Sequence, residues 1–410
     1  MNVLISGAGI AGPTLALFLA KTGARITIVE KSASLQPHGQ SVDITGSARA
    51  VIKKMGIMDE VRRFHTTEAG TQFVDAQGRP FARFPVNKGS SATMTSEFEI
   101  LRGDLALVLY EATRRHPNIE YKFSTTVQRI ISNDADAVSV ELSTGETLAF
   151  DLLVAADGQW SKIRKHAFPP SSVQAVDKNM YAVYFTIPRA PSDTPWWTIH
   201  VARSSRILAL RPDPHNTTRA LLTKMPLDDS ERRAWTSASR GDRATQEDLV
   251  RSEFRDAGWL AKRLLDDMSS APDFYFHPIQ QIRMATWSAN RIVCLGDAGY
   301  APSPLTGMGT SLAIDGAYVL AGELSKLGAA EHPSRALQAY EAAFRPFVDE
   351  IHKVPSWVPG VLHPGTVWAR WACCALIWVL ARLAALPWLV DRFDMGKELD
   401  LEFGEYPVLE

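Results

Sequence analysis

Only three cysteines occur in the 410 residues, Cys294, Cys373 and Cys374, and none stands in C-x-x-C spacing. That excludes a disulfide framework and a dithiol redox centre, and it fits a reducing, cytoplasmic compartment. The ten histidines are scattered, with no H-E-x-x-H and no Cys/His cluster, so no metal site is expected. Basic blocks are missing and the formal net charge is −1, which removes the electrostatic footprint of a nucleic-acid binder. With an apolar strand pattern beginning at residue 3, no signal or transit peptide is expected. There is no Ser-His-Asp signature, no internal repeat and no low-complexity tract. What remains is 46% hydrophobic and 22% charged, ordinary for a soluble chain of two or three domains.

The chain opens with Asn2-Val3-Leu4-Ile5-Ser6 running into Gly7-Ala8-Gly9-Ile10-Ala11-Gly12, a strand, a G-x-G-x-x-G turn and then a helical pattern. Glycines at this spacing permit the tight turn, let backbone approach a pyrophosphate and let the helix pack on the strand. The helix N-terminus adds unpaired N–H groups for the phosphates. A second strand, Arg25 to Val29, delivers Glu30 and Lys31, and an acid there can accept from a ribose hydroxyl. The alternative for Glu30 is a solvated strand-end carboxylate. No second G-x-G-x-x-G marks a separate nicotinamide domain.

Two later motifs narrow the choice of dinucleotide. Leu152 to Ala156 reads as a strand ending in Asp157-Gly158-Gln159-Trp160-Ser161-Lys162-Ile163-Arg164, a D-G-x-x-S-x-x-R pattern. Arg291 to Leu295 feeds Gly296-Asp297, followed by Pro304, Gly307, Met308 and Gly309. Asp297 at a strand's carboxyl end can accept from ribitol or ribose hydroxyls. Gly307 and Gly309 open a helix whose N–H groups can face a flavin's pyrimidine carbonyls or phosphate, and Pro304 supplies a rigid wall.

In their order and spacing these motifs resemble those of the single-component FAD-dependent aromatic hydroxylases, the group A flavoprotein monooxygenases, over about residues 1–350. Within that family, Gly39-Gln40-Ser41-Val42-Asp43-Ile44, with Val51 to Gly56 after it, is most similar to the branch of tetracycline-inactivating monooxygenases. The resemblance implies a para-hydroxybenzoate-hydroxylase fold: an α/β, Rossmann-like FAD-binding domain, a discontinuous antiparallel-sheet substrate domain and a helical C-terminal segment. The expected boundaries are 1–70, 99–175 and 285–355 for FAD, 71–98 and 176–284 for substrate, and 356–410 for the tail.

It also implies FAD as bound cofactor, NADPH or NADH as electron donor, O2 as co-substrate, and a flavin hydroperoxide that hydroxylates an aromatic or polycyclic apolar molecule. Gly7, Gly9, Gly12 and Glu30 would hold the ADP half. Arg102 would sit near the phosphates or ribose, Asp43 near the flavin N5 edge, and Asp297 on the ribitol. Asp157 and Gly158 would support FAD and nicotinamide, and Arg206 is the candidate flavin-contacting arginine. His200, Tyr181 and Tyr184 lie on strands of the substrate domain and could assist a substrate phenol, although such residues on a strand are usually packing or satisfied core groups. The family's usual G-D-A-A-H has Gly299 and Tyr300 in its last two places here, so no histidine role is carried over.

Two rival functions remain at this stage: a flavin reductase of the same fold, and a non-catalytic, membrane-peripheral binding protein on this scaffold. A monomer and a homodimer are both compatible with the sequence. The run Trp371 to Ala381, bounded by Arg370 and Arg382, rises roughly 16 Å as a helix, about half a bilayer core. It reads first as a helix buried between domains or beside the substrate. The second reading is a helix in a membrane interface, contacting lipid through residues 366–390 and anchored by Trp368, Trp371, Trp378 and Trp388.

Overall fold

The computed structural model describes residues 1–35, 39–66, 68–86, 98–328, 331–355, 357–384 and 399–410. Its first layer is a six-stranded sheet ordered Ser288–Ala289, Ile292–Cys294, Leu152–Ala155, Asn2–Ser6, Arg25–Val29, Ile119–Lys122. All pairs are parallel except the first. The central strands Asn2–Ser6 and Leu152–Ala155 are almost wholly buried, as expected of strands covered on both faces. Helices Ala11–Lys21 and Gly309–Ser325 pack against each other and on this sheet, so both glycine motifs open helices at the same sheet's carboxyl edge. That edge is where an open α/β sheet binds its ligand.

The second layer is a seven-stranded sheet ordered Tyr275–Met284, Val173–Pro188, Thr217–Lys224, Arg206–Pro212, Trp197–Ala202, Gly70–Val74, Pro80–Pro85. It is antiparallel apart from the pairing of Trp197–Ala202 with Gly70–Val74. One face, including Tyr181, Val183, Phe185, Leu208 and Leu222, is covered by the helices Asp229–Ala238, Arg243–Phe254 and Ala261–Met268. The sequence pattern suggests helix only over about 245–266. The earlier helix is polar over most of its surface and shows itself chiefly by its cap, Asp228, whose carboxylate accepts from the N–H groups of Ser230 and Glu231. Residues 87–97, within the expected 71–98 piece, lie outside the described residues.

The tail departs from expectation in two ways. The helix Val367–Ala384 is not buried: only Cys373 and Ile377 are. It is long and apolar enough by composition to cross a membrane. The last residues, by contrast, return to the first layer, where Tyr406 and Leu409 are buried in its core. Lys21 Nζ donates to the Leu409 carbonyl, Lys54 pairs with Glu410, and the Tyr406 hydroxyl donates to Glu323.

Candidate active site

Sterics dictate the glycine turn. Gly7 sits at φ +115° and a Cβ there would strike the Ala156 carbonyl; a Cβ on Gly12 would strike the Gly7 carbonyl and come 3.1 Å from Ile5 Cγ2. Gly9, between them, has open space above it. The Glu30 carboxylate accepts from the N–H groups of Ala8 and Ser32 at 3.0 Å each, which holds it beside the turn. Lys31 follows it and is exposed.

The D-G-x-x-S-x-x-R segment turns out to be a clamp. Asp157 Oδ2 accepts from the Lys162 N–H, Ser161 caps the short helix by accepting from the Arg164 N–H, and buried Arg164 donates to the carbonyls of Gln159 and Ala298. Arg164 therefore ties this turn to the Gly296-Asp297-Ala298-Gly299 turn. That accounts for the long spacing of S-x-x-R after D-G. Gly158, at φ +81°, again has free space where a Cβ would lie.

On the far side, Gly296 (φ +63°) and Gly307 (φ +67°) make the bends that present Asp297 and the N-terminus of helix Gly309–Ser325. Burial pushes the Asp297 carboxyl up, and the Arg102 guanidinium opposes that shift. Arg102 begins helix Arg102–Thr113, its N–H donates to the Gln40 carbonyl, and its side chain lies against Gly39. Tyr300 does not face this wall. It runs into the core on Trp287 and Phe344, with the Tyr340 hydroxyl donating to its own.

The residues fit a bound dinucleotide. Asp157 Oδ1, Gln159 Nε2 and Ser41 Oγ are buried without a hydrogen-bond partner among the described residues, whereas such atoms in a closed core are nearly always paired. Asp157 and Gln159 flank Gly158, whose Cβ position is open. Here side chains provide acceptors for hydroxyls (Glu30, Asp297) and a cation (Arg102), and the helix N-termini add backbone N–H groups for phosphates.

The sheet face opposite is built in rows by strand register. One row is Tyr184, Leu221, Ala209, Ile199 and Phe73. The next outward is Thr186, Arg219 and Arg211, with Arg211 stacked on Trp197 at 4.4 Å. Leu305, from the turn before Gly307, packs with Tyr184 and Leu221 against Met180, Ala182 and Ile279 on this face. The two layers therefore meet at an apolar surface with a polar end.

Tyr184 does point to this face, and burial raises its phenol, so it remains a hydrogen-bond donor. Tyr181 and His200 do not. Tyr181 packs on Trp235 under the helices, 2.8 Å from the Thr236 hydroxyl. His200 is buried on that same side, its Nδ1–H donating to the Val74 carbonyl, and burial lowers its pKa.

Arg206 is corrected as well. Its guanidinium is bound to Asp256 (2.6 Å) and the Glu253 carbonyl, beneath the helices. Arg211, five residues on, or ~17 Å along a strand, stands at the end where the layers meet. Arg211 pairs with Glu68 (2.5 Å) and Glu99. Glu99 lies opposite Asp43 in the Ser41–Asp43/Glu99–Leu101 ribbon. Burial pushes Glu68 up despite Arg211, and the Asp43 charge adds to the rise. Asp43 thus belongs to a knot of three carboxylates around one arginine.

Sequence reasoning also missed His277. It shares the Tyr184 face, where register pairs it with Ala182, and its Nδ1 is 3.1 Å from the Tyr275 hydroxyl. Trp160 of the D-G motif meets it edge-on. Burial, with Arg102 adding, lowers its pKa to about 4, so the imidazole is neutral at physiological pH. The signal was available: a histidine two residues from a tyrosine on a strand shares its face.

Behind the wall, Asp315 is fully buried, and the Ser47 hydroxyl donates to its Oδ2 at 2.7 Å. Burial raises its pKa to about 8, with the Asp400 carboxylate adding to the rise and Ser47 opposing it. A folded pKa above the unfolded value of 3.8 means stability is fully present below about 4 and is lost as pH rises through about 8. Asp315→Asn is expected to remove that slope and to leave the protein more stable than wild type near pH 8. Thermal melts across the window check it; an unchanged slope would show that Asp315 ionises freely.

Comparisons with known proteins agree with this geometry. The family model described as "FAD binding domain" matches residues 1–354. Monooxygenase CTB7 of Cercospora beticola is 38% identical over 380 residues, covering 90% of each chain. FAD-dependent monooxygenase asL6 of Sarocladium schorii is 32% identical, covering 100% of this chain and 99% of its own. Among solved structures, tetracycline destructase Tet(55) superposes with a TM-score of 0.76 at 30% identity, over 94% of this chain and 96% of that one.

Proposed function

Because the chain belongs to the FAD-binding-domain family and is an FAD-dependent monooxygenase, we propose that it inserts one oxygen atom into an aromatic or polycyclic apolar small molecule, using NAD(P)H and O2. In this reading, residues 1–70, 99–175 and 285–355 hold FAD, and 71–98 with 176–284 wall the substrate. Gly7, Gly9, Gly12 and Glu30 take the ADP half; Arg102 and Asp297 take the phosphate and ribitol region. Gly307, Met308 and Gly309 face the flavin ring, with Pro304 beside it. When bound, the flavin supplies the redox chemistry, accepting a hydride and passing on one atom of O2.

The observation that supports the substrate class is the apolar sheet face where Tyr184, Leu221 and Leu305 pack around Met180, Ala182 and Ile279, continued by Ala209, Ile199 and Phe73 under the tail helix. An apolar face there excludes water from the reacting centre, which limits wasteful breakdown. Tyr184, kept protonated, and neutral His277 supply one donor and one acceptor to orient a phenol or carbonyl. Free cysteines throughout the chain fit a cytoplasmic location.

The test is an NAD(P)H-oxidation screen of the FAD-loaded protein against phenolic and polyketide-like compounds, with oxygen uptake and product mass measured. A stimulating compound is expected to gain one oxygen atom. Stimulated oxidation that puts no oxygen into any compound would overturn the proposal in favour of a reductase.

A further inference from the structure

The helix Val367–Ala384 presents an apolar flank that the other described residues leave uncovered. Trp368 (82% exposed), Trp371 (70%), Val379 and Leu383 form a stripe at helical spacing, and Trp357 (67%) precedes it on the adjoining turn. Three uncovered tryptophans in so short a stretch cannot be read as ordinary scattered surface apolars. The opposite flank is fixed. Cys373 and Ile377 pack on Phe73, Ile199, Val201 and Ile207, and Arg370 Nε donates to the Val201 carbonyl at 2.7 Å. The helix therefore lies along the sheet with one side out. Crossing a bilayer would strip that sheet face and carry Arg370 into hydrocarbon, a costly placement.

Charge decides what covers the exposed side. No Asp or Glu stands between Trp357 and Ala384, and the charged side chains of that stretch are Arg370 and Arg382, the latter over the Trp378 ring. In an isologous dimer through this flank the exposed Arg382 would meet a stretch carrying no acid. An anionic lipid surface pairs with the exposed Arg382, and indole rings, apolar with one N–H, favour the headgroup boundary. We propose that this helix docks the enzyme flat on an anionic membrane, its tryptophans at headgroup depth, as an interfacial rather than a spanning element. The docking is independent of which substrate the active site takes.

Co-sedimentation of the full-length, FAD-loaded protein with vesicles tests this, using phosphatidylcholine alone and phosphatidylcholine containing phosphatidylserine. Wild type is expected to partition onto the anionic vesicles. Trp368→Glu/Trp371→Glu should lose partitioning by tenfold or more, and Arg382→Gln by about fivefold on anionic vesicles and little on neutral ones. Both variants change exposed positions, so flavin content and melting temperature should match wild type and separate lost docking from misfolding. Wild type remaining in the supernatant, or variants that partition like it, would overturn the proposal. So would light scattering that shows a lipid-free dimer broken by the tryptophan variants, because a second copy would then own the face.

Discussion

Gly12→Ala is expected to give a poorly stable protein purified without flavin. The added methyl has nowhere to go: it meets the Gly7 carbonyl, which is backbone, and Ile5 Cγ2 at 3.1 Å. Gly7 cannot retreat, since its N–H is bound to the Val29 carbonyl at 2.8 Å and its own Cβ position is closed by Ala156. Overpacking of this kind costs about 1–3 kcal/mol even where side chains can shift, and here the obstacle is backbone. Helix Ala11–Lys21 must then move off its strand, taking its N–H groups away from the pyrophosphate. Gly9→Ala is the contrast. Its Cβ meets no protein atom within 4 Å, so the apoprotein should keep its wild-type melting temperature and lose only flavin affinity. Melting curves of both variants, with flavin content read from visible absorbance, separate the two effects. A Gly12→Ala protein with wild-type stability and full flavin would mean that the helix does not need to approach its strand this closely.

The contrast between these glycines shows why the nucleotide half was legible. Its information is local: a strand end, a turn of fixed steric demand and a helix start, each within a dozen residues. The Asp297 turn and the Asp157 turn are of the same kind. The middle sheet is different. Ala182 and Val183 are adjacent on one strand and both fully buried, because helices cover one face and the first layer with the tail helix covers the other. With no polar face, alternation cannot say which side Tyr181, Tyr184 or His200 takes. Arg206 failed for a related reason. Its strand carries an arginine at each end, and the acids that distinguish them, Asp256 for one and Glu68 with Glu99 for the other, arrive from distant segments. The tail helix misled through composition, since an apolar run reads as core unless its outer flank is known. The burial of Tyr406 and Leu409 lay in a short, acidic terminus with no periodicity to reveal it.

Arg211→Met is expected to cost about 3–5 kcal/mol, the range for breaking a buried ion pair by removing one partner. The arginine serves both Glu68 and Glu99, whose side chains are 2% and 1% exposed, with Asp43 adding its charge to Glu68. Methionine keeps most of the stem but loses the guanidinium that lies over Trp197 and leaves these carboxylates without their cation. Glu68 is already raised by burial, and Arg211 is what holds it down, so in the variant its folded pKa rises further above the ordinary 4.5. The folded state then holds a proton that the unfolded state releases, and stability falls as pH rises through that window. The variant's deficit should therefore be largest at neutral pH and shrink toward pH 4. Glu68→Gln placed on Arg211→Met should recover part of the loss, because it removes one stranded charge; alone it should leave Arg211 paired with Glu99 and cost less. A double-mutant cycle read from denaturant melts measures this coupling. If the two changes add without coupling, Arg211 does not hold the layers together through Glu68, and their alignment must rest on Leu305 and its apolar contacts instead.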